Sequence, residues 1–323
     1  MGAIRRRLIK PSTIEFFRTA RKIPGYRWRD AFHGYIYARF PYLYIGTGVG
    51  EHWLAKVAAP LLRLNARLSP KSLQVERAGS QPQQITAVKL TNTVADGYHG
   101  KVMPLETARR LVLVNEEVRL TELEKVIPYA RARDIILKNP QQILALECPC
   151  RSARANPCLP LDVCLIIGEP FASFVAEHHP RRSRRITPEE AVEILRAEAQ
   201  RGHVHHAFFK DAMLNRYYAI CNCCSCCCGA MQAQRGGAPM LAASGYVCQV
   251  DEILCLGCGD CAATCPFGAL TLGNSRASVD VQACMGCGVC VLRCPQGALS
   301  LRRAPEKGEP LEIVELMQLM ASQ

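Results

Sequence analysis

A chain of 323 residues, 49% of them apolar, suits two or three domains with a sizeable core. Its 19 cysteines argue against a disulfide scaffold, because disulfide-dense chains are short and secreted, and the basic start from Met1 to Arg7 leads into no signal-peptide core. No run of about 20 uncharged apolar residues predicts a membrane-spanning helix. The expected location is a reducing cytoplasm or the inner face of a membrane, where such cysteines are metal ligands or redox groups.

The net charge of +12 is concentrated. Residues 1–80 hold 15 Lys/Arg and 4 Asp/Glu, or +11, and the other 243 residues hold 25 and 24, or +1. This first segment reads as a basic helical extension. Eleven of the chain's 21 aromatic residues lie between Phe16 and Trp53, interleaved with Arg27, Arg29 and Arg39. Arginine among aromatic rings suits three uses: contact with nucleic acid, attachment to a lipid surface, or packing on a protein partner or on the chain's own cysteine-rich part. The last is preferred, and no nucleic-acid motif supports the first. Residues 80–84 read as a linker.

Residues 81–240 read as a cysteine-rich α/β domain. Alternation predicts a strand at 85–90. Helical spacing follows at 105–114, with Pro104 at its first turn, and again at 120–137, kinked or ended near Pro128. The apolar runs 143–146 and 163–167 predict strands. Thr187, Pro188 and Glu190 form a capped helix start, and that helix runs to about Arg201 and stops at Gly202. A strand at 217–220 leads into a knot of six cysteines, and 236–239 marks a boundary.

An internal repeat occupies 241–303. Cys255, Cys258, Cys261 and Cys265 reappear as Cys284, Cys287, Cys290 and Cys294, each offset by 29, followed by Pro266 and Pro295. A repeat of this kind predicts two copies of one small unit. Residues 304–323 read as an amphipathic tail. Zinc sites favour paired C-x2-C knuckles with a long spacer. Three cysteines at x2 spacing, then x3 and Pro, instead fit an iron–sulfur cube, whose corners each need a thiolate. Gly257, Gly259, Gly286 and Gly288 allow the tight turns.

This segment resembles the two-cluster, clostridial-type bacterial ferredoxins. The resemblance implies a small α+β fold, one-electron transfer and two [4Fe–4S] clusters. One cluster would take Cys255, Cys258, Cys261 and Cys294, and the other Cys284, Cys287, Cys290 and Cys265. Cys248 has Ala277 as its repeat partner and reads as a small buried residue.

Ten cysteines remain upstream: Cys148, Cys150, Cys158, Cys164, Cys221, Cys223, Cys224, Cys226, Cys227 and Cys228. Thiolates at this density repel one another unless protonated or metal-bound, so they read as metal ligands for a third [4Fe–4S] cluster or for zinc. A redox dithiol is the non-metal alternative. The run of Cys148, Pro149, Cys150 and Arg151, the stretch from Asp162 to Leu165 and the knot from Cys221 to Cys228 resemble a group of anaerobe-type 4Fe–4S binding proteins. That resemblance extends over about 102–301 and implies anaerobic metabolism. His203 and His205 read as strand residues or ligands, and the run from Arg181 to Arg185 beside His178 and His179 as solvated surface.

The expected fold class is α+β: a basic helical extension, a cysteine-rich α/β domain and a dicluster ferredoxin-like domain. The expected function is that of an electron-transfer protein or subunit with a redox partner protein, as part of a membrane-associated or multi-subunit complex. An oxidoreductase with a catalytic cluster or thiol site in the central domain is the first alternative, and an Fe–S or Zn sensor or assembly scaffold the second. No Gly-rich nucleotide fingerprint occurs.

Overall fold

The computed structural model describes residues 9–48 and 94–322. The linker at 80–84 and the strand expected at 85–90 lie outside the described residues. The chain is a mixed helix-and-sheet protein with a small cysteine-bearing unit at its carboxyl end.

Helices α1 (Pro11–Ala20), α2 (Trp28–Arg39) and α3 (Pro41–Gly48) come first. After α4 (Val94–Gly97), strand β1 (Tyr98–Met103), α5 (Leu105–Val112), β2 (Val118–Leu120) and β3 (Ile135–Glu147) open the central part. It continues through α6 (Pro149–Ser152), β4 (Asp162–Glu169), α7 (Phe171–His178), β5 (Ser183–Ile186) and α8 (Pro188–Gln200). Strands β6 (Val204–Lys210) and β7 (Arg216–Cys223), helix α9 (Gly229–Arg235) and β8 (Leu241–Ala242) complete it.

One sheet runs in the order β2-β3-β4-β7-β6-β1-β8, with β5 also paired to β3. Its pairs are antiparallel except β1 with β8. Every residue of β6 is buried, and every residue of β7 except Cys221, so both faces of the sheet are covered. Helices α5 and α8 cover one face, and α7 with the amino-terminal helices covers the other. The cap on α8 forms as its sequence predicts: the Thr187 hydroxyl accepts from the Glu190 amide at 3.2 Å.

The helix expected over 120–137 is not formed. Leu123, Val126 and Ile127 are spaced like a helical stripe and are buried, but they make a single turn closed by Ile127 N–H to the Leu123 carbonyl. Glu122 and Ala132 adopt φ of +60° and +51°, which ends any helix on either side. Residues 118–120 and 135–137 pair as strands instead.

The amino-terminal helices pack on the chain itself. Tyr26 Oη donates to the Ala212 carbonyl at 2.8 Å, Tyr42 Oη to the Glu147 carbonyl at 3.0 Å, and His179 Nε2 to the Ala38 carbonyl at 2.8 Å. The Tyr37 and Tyr218 hydroxyls meet at 2.8 Å in the interior. Tyr218 is the extra residue of a register slip where Phe208 pairs Ala219 but Phe209 pairs Tyr217, and a bulge of that kind re-aims a side chain.

The carboxyl-terminal unit has its own core. Strand β9 (Tyr246–Val250) pairs with β12 (Leu299–Arg303), and β10 (Leu270–Gly273) with β11 (Arg276–Val279). Helices α10 (Asp260–Thr264) and α11 (Val289–Arg293) repeat at the offset of 29. The tail forms α12 (Ile313–Ala321), which packs on α5 and β2.

Candidate metal centres

Two copies of one loop are built from the same parts. Asp251 Oδ1 accepts from the Ile253 and Leu254 amides, and Asp280 Oδ1 accepts from Gln282 and Ala283. Each turn is closed by the first cysteine of its run, Cys255 N–H donating to the Asp251 carbonyl at 3.0 Å and Cys284 N–H to the Asp280 carbonyl at 2.9 Å. Each helix then starts on a left-handed glycine, Gly259 at φ +89° and Gly288 at φ +79°, a conformation that costs other residues energy. Main-chain N–H groups point at sulfur. Ala277 N lies 3.4 Å from Cys255 Sγ and Cys248 N 3.4 Å from Cys284 Sγ, while Ala269 N and Ala298 N lie 3.3 Å from Cys265 and Cys294. Cys248 and Ala277 thus hold equivalent places. Cys248 is buried, with its own sulfur 3.6 Å from Cys290 Sγ. The amides of Ala277 and Gly257 hold the Cys255 thiol below its usual pKa. Donors aimed at sulfur are the setting that thiolate ligands of a cluster require.

A small cavity is lined by Cys255, Cys258, Cys261 and Cys294 together, three cysteines from one run and the last of the other. The remaining four gather separately. Burial raises the Cys287 thiol's pKa, and charge on neighbouring Cys290, Cys265 and Cys284 adds to the rise. The two sets face different ways. Ile253 and Leu256 beside the first set are 92% and 70% exposed. Phe267, Met285 and Cys287 of the second pack against the main core.

The ten upstream thiols fall into two groups. The sulfurs of Cys158, Cys224, Cys226 and Cys227 all lie within 4.8 Å of one another, with Cys158 and Cys226 at 3.1 Å and Cys226 and Cys227 at 3.6 Å. This group reaches the surface at Cys226, which is exposed, while Cys158 is half-buried and Cys224 and Cys227 are buried. Four thiolates on one zinc stand about 3.8 Å apart, the edge of a tetrahedron with 2.3 Å bonds. A cube places irons and sulfides between its thiolates and holds them wider.

The other six follow from the sheet register. Cys164 on β4 pairs with Cys221 on β7, and Cys223 lies two residues on, on the same face. Cys148 and Cys150 flank the start of α6, and Cys228 caps α9. Their thiols interact in an unbroken run from Cys221 through Cys164, Cys148, Cys150 and Cys228 to Cys223. Interaction with Cys150, opposed by that with Cys164, and then burial push the Cys148 thiol up to about 12. These six, with Cys224 of the first group at the edge, line an apolar cavity that Tyr37, Pro41 and Ile45 of α2 and α3 close from one side and Tyr98, Phe208 and Tyr218 from the sheet.

Arg151 also lines that cavity and is 1% exposed. It donates to the Pro160 and Asn222 carbonyls at 2.6 and 2.9 Å and pairs with Glu198. Its Nε–H is buried with no hydrogen-bond partner among the described residues. Burial opposes the guanidinium charge, but Glu198 outweighs it and the pKa is raised. Sequence reasoning quoted Arg151 within its motif without giving it a role, and did not weigh Glu198, Tyr37 or Tyr218. An arginine directly after Cys148-Pro149-Cys150 was the available signal.

The histidines lie outside the tight thiol group. His203 Nδ1 meets Glu198 at 2.7 Å and His205 Nδ1 meets Asn222 Oδ1 at 2.6 Å, both in buried positions. Arg181, Arg182, Arg184 and Arg185 are exposed, with Arg184 paired to Asp162 and Glu190, whereas His178 and His179 are buried under the amino-terminal helices.

Residues 254–299 match the family of 4Fe–4S dicluster domains. No curated protein and no solved structure matches the chain. Among the described residues no helix is long and apolar enough to cross a membrane.

Proposed function

We propose that the chain is an electron-transfer protein whose clostridial-type carboxyl-terminal unit carries two [4Fe–4S] clusters and wires a redox partner to the thiol-rich centre of the sheet. The dicluster match and the cysteine-rich region support the iron–sulfur reading. The observation that carries it is the cavity shared by Cys255, Cys258, Cys261 and Cys294. Each run offers three thiolates to one cube and its last cysteine to the other, so Cys284, Cys287, Cys290 and Cys265 hold the second. A cube when bound stores one electron with little rearrangement.

The protein's part is to orient and insulate. The exposed apolar rim of Ile253, Leu256 and Leu272 beside the first set is the face for a redox partner protein, in the cytoplasm or within a complex at a membrane's inner side. The second set looks inward. Val289 and Arg293 of α11 approach Gly202, and the chain from Gly202 through His203 and Glu198 to Arg151 leads to the central thiols. The test is anaerobic purification of the wild type and a Cys294→Ser variant. The wild type should hold about eight iron atoms in the carboxyl-terminal unit and show two interacting signals by electron paramagnetic resonance on reduction. Cys294→Ser should perturb the cluster of Cys255, Cys258 and Cys261. If it perturbs the one on Cys284, Cys287 and Cys290 instead, the crossed ligation is wrong.

A further inference from the structure

We infer that the ten central thiols are two metal centres of different kinds: an outer zinc held by Cys158, Cys224, Cys226 and Cys227, and an inner iron–sulfur cluster held by Cys148, Cys150, Cys164, Cys221, Cys223 and Cys228. This deepens the electron-transfer reading by naming the buried end of the wire, and it rests on that reading only for the direction of electron flow.

The spacing of sulfur separates the two. The outer four approach within 4.8 Å of one another, and among the described residues no other three thiols lie so close. No three cysteines of the dicluster motif, which resembles known cube sites, are gathered that closely, and no three of the inner six are. A tetrahedral zinc brings its thiolates to about 3.8 Å. The outer group has the compact spacing of a single ion, whereas the inner six meet only neighbour to neighbour along an extended run, from Cys221 through Cys164, Cys148, Cys150 and Cys228 to Cys223.

The chemistry of the inner cavity points the same way. Six converging thiols in an apolar enclosure lose too much solvation to stay ionised unless metal takes up their charge. The Arg151 guanidinium, buried beside them with its Nε–H unpartnered, supplies both a positive charge and a donor for a sulfur atom. Glu198 anchors the far side of the guanidinium and leaves Nε free for the cavity. Six also exceeds the four thiolates of one cube. Two cubes joined through one shared sulfide give up one thiolate each, which leaves six. The inner site therefore has ligands for one cube with two thiols to spare, or for a linked pair.

Iron, zinc and acid-labile sulfide are to be counted per chain on the anaerobically purified full-length protein and on two double variants. Cys164→Ser with Cys223→Ser should remove about four to eight irons with matching sulfide and leave the zinc. Cys158→Ser with Cys226→Ser should remove about one zinc and leave iron and sulfide unchanged. Loss of iron and sulfide from the outer variant, or unchanged iron in the inner one, overturns the division. The zinc-edge absorption spectrum of the wild type gives an answer that survives misfolding of either variant. It should show four sulfurs at about 2.3 Å, and a wild type without zinc overturns the outer site. The irons of the carboxyl-terminal motif remain in both variants, so their absence would count against the dicluster reading and not against this division.

Discussion

Arg151 and Glu198 face each other inside the protein with Nη2 and Oε2 2.5 Å apart, and neither side chain is more than 1% exposed. Glu198 also accepts from Arg201 at 3.0 Å and meets His203 at 2.7 Å. Burial works to raise its carboxyl pKa, but the bond to His203 and the charge of Arg151 hold it low. Breaking a buried pair on one side costs about 3–5 kcal/mol, because the remaining charge stays uncompensated. Glu198→Gln is expected to lose that order of stability in anaerobic urea unfolding. A loss under about 1 kcal/mol would show that Arg151 finds another counter-charge.

Gly286 and Gly297 separate two ways in which a glycine is required. Both adopt positive φ, +64° and +61°. A Cβ at Gly286 would stand 2.1 Å from the Tyr246 carbonyl oxygen, whereas one at Gly297 would meet nothing within 4 Å. Alanine at either position carries the strain of a left-handed backbone, about 1–2 kcal/mol, but only Gly286→Ala must also push β9 away from the cysteine loop. Gly297→Ala should retain its full iron content after anaerobic purification, and Gly286→Ala should lose roughly half of the carboxyl-terminal iron.

His99 makes stability depend on acidity. Burial lowers its pKa from 6.5 to about 4, with its ring stacked 3.8 Å from that of Tyr129. Above pH 6.5 both folded and unfolded chains hold the ring neutral. As the pH falls from 6.5 towards 4 only the unfolded chain takes up the proton, so stability drops across that window by about 3 kcal/mol for one such ring. His206, lowered to about 3 by burial, acts in the same sense. Of the drop from His99, about 2 kcal/mol should appear between unfolding free energies at pH 7 and pH 5, and His99→Phe, which keeps the stacking, should reduce the difference.

Gly34 is where the amino-terminal helices touch down. Its missing Cβ would lie 1.9 Å from the Ala212 carbonyl oxygen. In an exposed helix Gly to Ala stabilises by about 1 kcal/mol. Here Gly34→Ala should instead lift α2 from the turn between β6 and β7, and limited proteolysis should cut within the amino-terminal helices at least tenfold faster than in the wild type.

The dicluster motif was legible because a cube dictates ligand spacing along a short loop, and the repeat doubles the signal. The helix at 120–137 was misread because Leu123, Val126 and Ile127 bury one turn with helical spacing, while the left-handed residues on either side leave no trace in an apolar pattern. The division of the ten thiols was not readable from spacing. It depends on Cys164 lying opposite Cys221 and on Cys158 arriving beside Cys226 from 68 residues away. Aromatic residues among arginines left several roles open for the first 80 residues. The tertiary bonds of Tyr26, Tyr37 and Tyr42, with those of Thr13 and Ala38 to His178 and His179, show where the described helices rest.

The partner of the Tyr37 hydroxyl is 181 residues further along the chain. Tyr42 and Ala38 can meet Glu147 and His179 earlier, but the Tyr37 bond cannot form until β7 has been synthesised and paired. Biogenesis inherits an order from this. Of the bonds from Tyr26, Tyr37 and Tyr42, the one to Tyr218 is therefore the last that a growing chain can complete, and it closes one side of the thiol-lined cavity.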